Sequence, residues 1–264
     1  MDIKQLLAPF AAYILRNIKT HKNRKRFAKL VGNFFDGTKA KTAYGFTMIA
    51  KWHDNMNRIS FEGSHGIVAD FIKDLPSNSL FIDVGANQGC TSILASKVFE
   101  NRQDNGVVMA FEPSPSSFNL MQKNIELNRC NNIFTFNSAV SSKKSKLYLD
   151  ETNLNNSGAS HISEKGCSII AAPVKIDDVR EIYNYKNIFI KIDTEGYEMS
   201  VLEGLSELLR ENFIRKLVIE IDEINLNKYG SNSAEIYKYL DRYGFKPIIG
   251  CKKGHYDEVF IEKQ

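Results

Sequence analysis

Along this chain, short apolar runs alternate with longer stretches of helical periodicity. Ser79-Leu80-Phe81-Ile82-Asp83-Val84 is a brief apolar run cut off by glycine, the text of a strand covered on both sheet faces. The helix expected after Gly89 carries Ile93, Leu94, Val98 and Phe99, and Val107-Val108-Met109-Ala110-Phe111 is the next strand. Phe118, Met121 and Ile125 mark a second helix, with Ile133-Phe134-Thr135-Phe136 as the strand after it. Residues 141–186 break the rhythm with polar, hairpin-like text. Ile188 to Ile192 resumes it, followed by a single helix on which Val201, Leu202, Leu205, Leu208 and Leu209 share one face. A strand over Lys216 to Ile221, a helix around Ile236 and Leu240, and paired end strands near Pro247-Ile248-Ile249 and Glu258 to Ile261 complete the pattern. Such alternation requires right-handed crossovers and gives a parallel sheet covered on both faces. The expectation is an α/β fold: a doubly wound, Rossmann-like, mostly parallel sheet with a hairpin-like insertion.

Ahead of that core, Tyr44 to Ala50 reads as a strand, and Ile67 to Ile72 with Leu75 as a helix closed by Pro76. Earlier still, Leu6 to Leu15 is apolar but interrupted by Pro9, and it falls short of the roughly 20 residues of a membrane span. The positive charge follows this stretch, from Arg16 to Lys29, the reverse of the order in a secretory signal. Residues 1–30 hold eight Lys/Arg against Asp2 alone. Two readings stay open for them: peripheral contact with an anionic membrane surface, or a solvated helix packed on the domain. The expected organisation is a basic helical extension over residues 1–33 and one domain over 34–264, its core running from 79 to 264.

Composition narrows the class further. With 264 residues, 43% of them hydrophobic and 25% charged, the chain has the make-up of a folded globular protein. The net charge of +4 belongs to the first thirty residues and leaves the remainder mildly acidic, which argues against a nucleic-acid partner. Cys90, Cys130, Cys167 and Cys251 lack the spacing of a zinc knuckle or a redox pair. They read as free thiols of a reducing, cytoplasmic compartment.

In an open parallel sheet the ligand sits beyond the strand ends where strand order reverses. The strand ending at Val84 leads into Gly85-Ala86-Asn87-Gln88-Gly89, where Gly85 and Gly89 permit positive φ and Asn87 tolerates a left-handed turn. About 23 residues after Gly89 the next strand ends in Glu112, placed to accept hydrogen bonds from ribose hydroxyls. The pattern lacks the G-x-G-x-x-G of a pyrophosphate site, and Asp83 beside the loop suits a ligand bearing an ammonium group. These features point to S-adenosyl-L-methionine. Ser138 and Ala139, after the third strand, lie where an adenine would approach, unless they serve only packing.

Three stretches carry a family resemblance: Phe81-Ile82-Asp83-Val84-Gly85-Ala86-Asn87-Gln88-Gly89, Ala110-Phe111-Glu112-Pro113-Ser114-Pro115, and Ile190-Lys191-Ile192-Asp193-Thr194-Glu195-Gly196-Tyr197-Glu198 with Val201-Leu202-Glu203-Gly204. In this order they closely resemble the FkbM-type methyltransferases, over roughly residues 79–222. The resemblance implies a class I methyltransferase fold and S-adenosylmethionine-dependent O-methylation of a small-molecule or glycan hydroxyl, on a sugar, glycolipid or polyketide-like metabolite. Asn155-Asn156-Ser157-Gly158-Ala159-Ser160-His161 resembles the family's Ser-Gly-Ala-Ser stretch, a lid or acceptor wall.

Methyl transfer to an alcohol needs alignment and a base near the methyl group. Asp193, at the end of its strand, is the first candidate, and Glu195 the second, since paired carboxylates raise one proton affinity. Thr194, Glu195 and Glu198 equally suit the first turn of the next helix. His161 is a further candidate base or a solvated loop histidine. Glu220 either lines the acceptor pocket or pairs with a lysine. Asp193, Glu195 and Glu220 offer oxygen ligands for a transient Mg²⁺, but no metal is assigned. Asp177-Asp178 suits the cap of its own short helix. A nicotinamide-dependent oxidoreductase of related fold and a non-catalytic membrane-surface module are the competing readings.

Overall fold

The computed structural model describes residues 2–143, 147–150, 161–163, 168–169 and 173–263. Two helices open the chain, α1 (Ile3–Asn17) and α2 (His21–Phe35), capped by the side chains of Asp2 and Thr20. An antiparallel pair follows, β1 (Lys39–Lys41) with β2 (Thr47–Ile49). The strand expected over Tyr44 to Ala50 is shorter, because the Thr42 N–H bonds to the Phe46 carbonyl and closes a turn with Gly45 at φ +92°. Then come α3 (Asn55–Glu62) and α4 (Gly66–Lys73).

The alternating core comprises β3 (Leu80–Val84), α5 (Cys90–Arg102), β4 (Val107–Phe111), α6 (Pro115–Leu127) and β5 (Ile133–Phe136). The insertion forms a small antiparallel sheet of β6 (Tyr148–Asp150), β7 (His161–Ser163) and β8 (Ser168–Ile169), with β6 central. The chain returns as β9 (Ile188–Ile192), α7 (Glu198–Glu203), α8 (Ser206–Arg210), β10 (Ile214–Asp222), α9 (Glu223–Lys228), α10 (Ser233–Arg242), β11 (Phe245–Pro247) and β12 (His255–Glu262).

The main sheet runs β5-β4-β3-β9-β10-β12-β11. The five strands from β5 to β10 pair in parallel, and β12 runs antiparallel to both β10 and β11. The sequence builds outward from β3 to β5 and then returns to the other side of β3. Strand order therefore reverses between β3 and β9, which opens a crevice at their carboxyl ends. Every residue of both strands is buried. Their side chains alternate between two cores: Phe81 and Phe189 face one with Ile93, Phe99 and Met121, while Leu80, Ile82, Ile188 and Ile190 face the other with Leu205 and Phe260. Ala8, Ala11, Ala12 and Leu15 of α1 and Ala28 and Phe35 of α2 join the first core.

Two expectations change here. The single helix from Val201 to Leu209 is two short ones, α7 and α8, broken at Gly204 and Leu205. Gly204 lies so close to Ser141 that a Cβ there would sit 3.1 Å from its backbone. Asp177 caps α8 rather than its own turn, because its carboxylate accepts the Glu207 and Leu208 N–H groups at 3.0 and 3.1 Å.

Candidate active site

The crevice holds a cleft, open to solvent, with about 610 Å³ of free space in and at its mouth. Val84, Gly85 and Asn87 from the β3 loop, Phe111 and Glu112 from β4, and Ser138 to Val140 after β5 line it. Asp193, Thr194 and Glu195 close it from the end of β9, Met56 from α3 and Leu149 from β6. Of the sequence-derived candidates, Gly85, Asn87, Glu112, Ser138, Ala139, Asp193 and Glu195 thus share one cavity. Gly89 and Asp83 lie behind it.

Backbone geometry explains the loop. Gly85 has φ +77°, and a Cβ there would stand 1.8 Å from the Asp193 carbonyl oxygen, so glycine lets the ends of β3 and β9 come together. Asn87 has φ +50°, and at Gly89, with φ +85°, a Cβ would press on Met121 at 2.8 Å. Both Glu112 oxygens are anchored: Oε2 accepts the Asn87 N–H at 2.7 Å and Oε1 the Ser114 N–H at 2.8 Å. Each keeps a second lone pair for a ligand hydroxyl. Burial pushes the Glu112 carboxyl up to about 7 against the pull of those two amides.

Asp83 requires a correction. Its side chain is fully buried, Thr91 and Ser92 hydroxyls donate to Oδ2 at 2.6 Å each, and the Lys191 ammonium donates to Oδ1 at 3.2 Å. The ammonium that Asp83 meets is the protein's own. Lys191 also donates to the Gly85 carbonyl at 3.1 Å and stands 3.3 Å from Asp193 Oδ2. The Asp193 and Asp83 carboxylates hold its proton affinity above the ordinary lysine value despite burial. A lysine inside the otherwise apolar run Ile188 to Ile192 was the sequence signal for this bridge.

Asp193 also lines a smaller adjoining space of about 360 Å³, together with Lys191, His65, Asn57, Ser60 and Cys90. His65 Nδ1 lies 3.0 Å from the Tyr44 hydroxyl, and burial, reinforced by the Lys191 charge, lowers its ring to about 4. The ring is therefore neutral at physiological pH. Asn57 donates to Gln88, Gln88 Nε2 donates to Asp54 at 2.9 Å, and Asn124 Nδ2 to the Gln88 carbonyl at 2.9 Å, so α3 and α6 clamp the glycine loop. Periodicity gives no hint of this layer, since its contacts span long sequence separations.

At the mouth of β9, Glu195 adopts φ +55° and its carboxylate accepts from Asn225 Nδ2 at 3.0 Å. It caps no helix. The loop is held from inside α7, where Glu198 Oε1 accepts the Thr194 N–H, the Thr194 hydroxyl and the Gly196 N–H. Burial and then the Asp193 charge push Glu195 up to about 8. Glu220 pairs with a histidine rather than a lysine: His255 Nε2 lies 2.7 Å from its Oε1. One carboxylate oxygen from each of Asp193, Glu195 and Glu220 falls within 4.8 Å of the others. The backbone of His161 pairs with Asp150, while its side chain and the Ser157-Gly158-Ala159-Ser160 stretch lie outside the described residues.

A seven-stranded sheet whose order reverses at β3 and β9, with the antiparallel β12 inserted between β10 and the edge strand β11 and a buried carboxylate beside a glycine loop, is the fold of a class I methyltransferase. Residues 83–247 match the methyltransferase FkbM domain, and the chain belongs to that family. Its methyl donor is S-adenosyl-L-methionine, which sets aside the nicotinamide reading. Methyltransferase sdnD of Sordaria araneosa is 26% identical over 56% of this chain and 68% of its own length. Hexuronic acid methyltransferase AglP of Haloferax volcanii is 23% identical over 60% of this chain, which spans 62% of that relative. The solved structure of M. jannaschii TYW2 in complex with AdoMet aligns with a TM-score of 0.45 at 16% identity, covering 86% of this chain and 87% of that one.

The cleft fits this donor. Asn87 Oδ1 is shielded from solvent and has no hydrogen-bond partner among the described residues, although it stands at the junction of both spaces. Phe111, Val140 and Leu149 supply apolar walls.

Proposed function

We propose that this methyltransferase acts on a hydroxyl group of a sugar, a glycan or a polyketide-like metabolite. The observation that carries the reading is the pair Asp193 and Glu195, which closes the same cleft that Glu112 opens. When bound, S-adenosylmethionine supplies an electrophilic methyl group on a positively charged sulfur. Glu112 takes the ribose hydroxyls, and Asn87 offers its unpartnered Oδ1. Ser138 and Ala139, with Phe111, wall the adenine.

An alcohol is a poor nucleophile until its proton leaves, so the acceptor needs a base at the methyl end of the cleft. Asp193, the first candidate, is engaged by the Lys191 ammonium at 3.3 Å. Glu195 takes the proton instead: its affinity near 8 matches a base working slightly above neutrality. Asp193 then orients the hydroxyl. A relative named for hexuronic acid methylation supports a sugar acceptor.

Incubating the protein with S-adenosylmethionine bearing a labelled methyl group and a panel of hexoses, hexuronic acids and their amino analogues tests the reading. Label released from the product by ether cleavage supports O-methylation. Label found only on nitrogen or as a methyl ester overturns it.

A further inference from the structure

Helix α1 is apolar on two opposite faces. One face, Ala8, Ala11, Ala12 and Leu15, is buried in the core shared with the main sheet. At about 100° per residue, Ile3, Leu6, Phe10 and Tyr13 fall on the other side of the helix, with Leu7 on its flank. Phe10 is 63% exposed, Ile3 64%, Tyr13 59% and Leu6 58%. A helix that served only to pack on the domain would show water a polar face there.

Helix α2 lies alongside, and the Lys4 ammonium, 5.2 Å from the centre of the Phe34 ring, ties the start of α1 to the end of α2. The outward side of α2 adds Leu30, 83% exposed, and Phe34. It also carries Lys22, Lys25, Arg26 and Lys29, all exposed and in no ion pair with another described residue. Arg16 and Arg24 are not part of this set, because they turn inward to the Thr42 and Ile18 carbonyls. Both helices bury their inner sides in one core, so their outer sides form one surface, apolar on α1 and basic on α2.

We propose that this surface docks on an anionic phospholipid bilayer, with the α1 side chains entering the headgroup boundary and the α2 cations meeting lipid phosphates and carboxylates. Charge selects this occupant. A second copy of the chain placed face to face would bring two basic sets together, whereas an anionic surface neutralises them. Contact is peripheral, since no described helix is long and apolar enough to cross a membrane. Rigid attachment of α1 through its alanine face means that little ordering is left to be paid for on docking. The proposal is independent of the identity of the methyl acceptor.

Flotation of the full chain with phosphatidylserine–phosphatidylcholine vesicles, and with phosphatidylcholine alone, provides the test. Binding to the mixed vesicles should exceed binding to the neutral ones by about tenfold or more and should weaken with added salt. Leu6→Gln with Phe10→Gln should reduce partitioning by about tenfold, because both side chains are exposed and their apolar surface drives insertion. Calorimetric binding of S-adenosylmethionine verifies that the variant remains folded. Absence of vesicle binding, equal binding to neutral vesicles, or binding unchanged in the double variant overturns the proposal. So does a doubled mass in light scattering that reverts in the variant without any vesicle binding, which would assign the surface to a second copy.

Discussion

Asp83 and Lys191 are direct neighbours in the parallel pairing of β3 with β9, and their charges meet at 3.2 Å behind the glycine loop. The same ammonium reaches Asp193 at 3.3 Å, so one buried cation links the glycine loop after β3 to the end of β9. Removing it leaves a fully buried carboxylate facing another without a counter-charge. Lys191→Met should therefore destabilise the fold by about 3–5 kcal/mol. Urea unfolding followed through Trp52, the single tryptophan, measures this, and an unchanged midpoint would show that the bridge contributes nothing.

Gly85 governs the same junction by shape. A Cβ at this position meets the Asp193 carbonyl oxygen at 1.8 Å and the residue also needs φ +77°, so Gly85→Ala must push β3 and β9 apart at their carboxyl ends. Strain at the left-handed conformation alone costs about 1 kcal/mol, and the collision adds to it. The variant should melt at a lower temperature and bind S-adenosylmethionine more weakly, whereas Gly230→Ala, with open space around it, should change only stability. Parallel melting and calorimetric titrations separate the two.

Much of this arrangement was legible in the sequence, and the limits have physical causes. Strands β3, β4 and β9 announce themselves because burial on both faces demands unbroken apolar runs. Glu112 is readable because its distance from the loop is set by one helix and one strand. Asp83 was misread as a ligand partner because its counter-charge comes from Lys191, far along the chain and adjacent only once β9 returns beside β3. The α7–α8 break was hidden for the same reason: leucine spacing persists across it, while Asp177 and Ser141 impose it from elsewhere. The layer of Tyr44, His65, Asn57 and Gln88 follows no period at all.

Glu112 should make cofactor affinity depend on pH. Its carboxyl, raised to about 7 by burial, accepts ribose hydroxyl protons best when ionised. Affinity for S-adenosylmethionine should therefore rise about tenfold between pH 6 and pH 8, following the ionised fraction. Glu112→Ala should weaken binding by about ten- to a hundredfold and abolish that dependence. Calorimetry across the pH range checks both, and a wild-type affinity flat with pH would remove Glu112 from the ribose site.

Stability of the ligand-free protein should fall as the solution becomes alkaline. Glu112 and Glu195 have folded-state affinities near 7 and 8, above the ordinary 4.5, so each contributes stability fully present below 4.5 and lost as pH rises through those values. His65, lowered to about 4, acts in the opposite sense: its contribution is complete above 6.5 and lost as pH falls toward 4. Thermal midpoints should thus decline from pH 6.5 to pH 9, while His65 offsets part of the gain that the two carboxyls give as pH falls from 6.5 toward 4.5. A midpoint that climbs steadily to pH 9 contradicts this balance.

Turnover distinguishes the two carboxylates at the end of β9. If Glu195 removes the acceptor proton, kcat should rise with pH and level off above about 8, where its ionised form predominates. Glu195→Gln should lower kcat by about a hundred- to ten-thousandfold with little change in cofactor affinity, because the loss is confined to proton removal. Asp193→Asn keeps the shape and removes one negative neighbour, so the remaining carboxylate should titrate at a lower pH and the rate profile should shift acidward while keeping its rising limb. Its fall in rate reflects lost orientation of the hydroxyl and should be smaller than that of Glu195→Gln. Stopped assays of methyl transfer at saturating substrates, run from pH 6 to pH 9.5 for all three proteins, decide the matter. A profile whose rising limb survives in Glu195→Gln and vanishes in Asp193→Asn would transfer the role of base to Asp193.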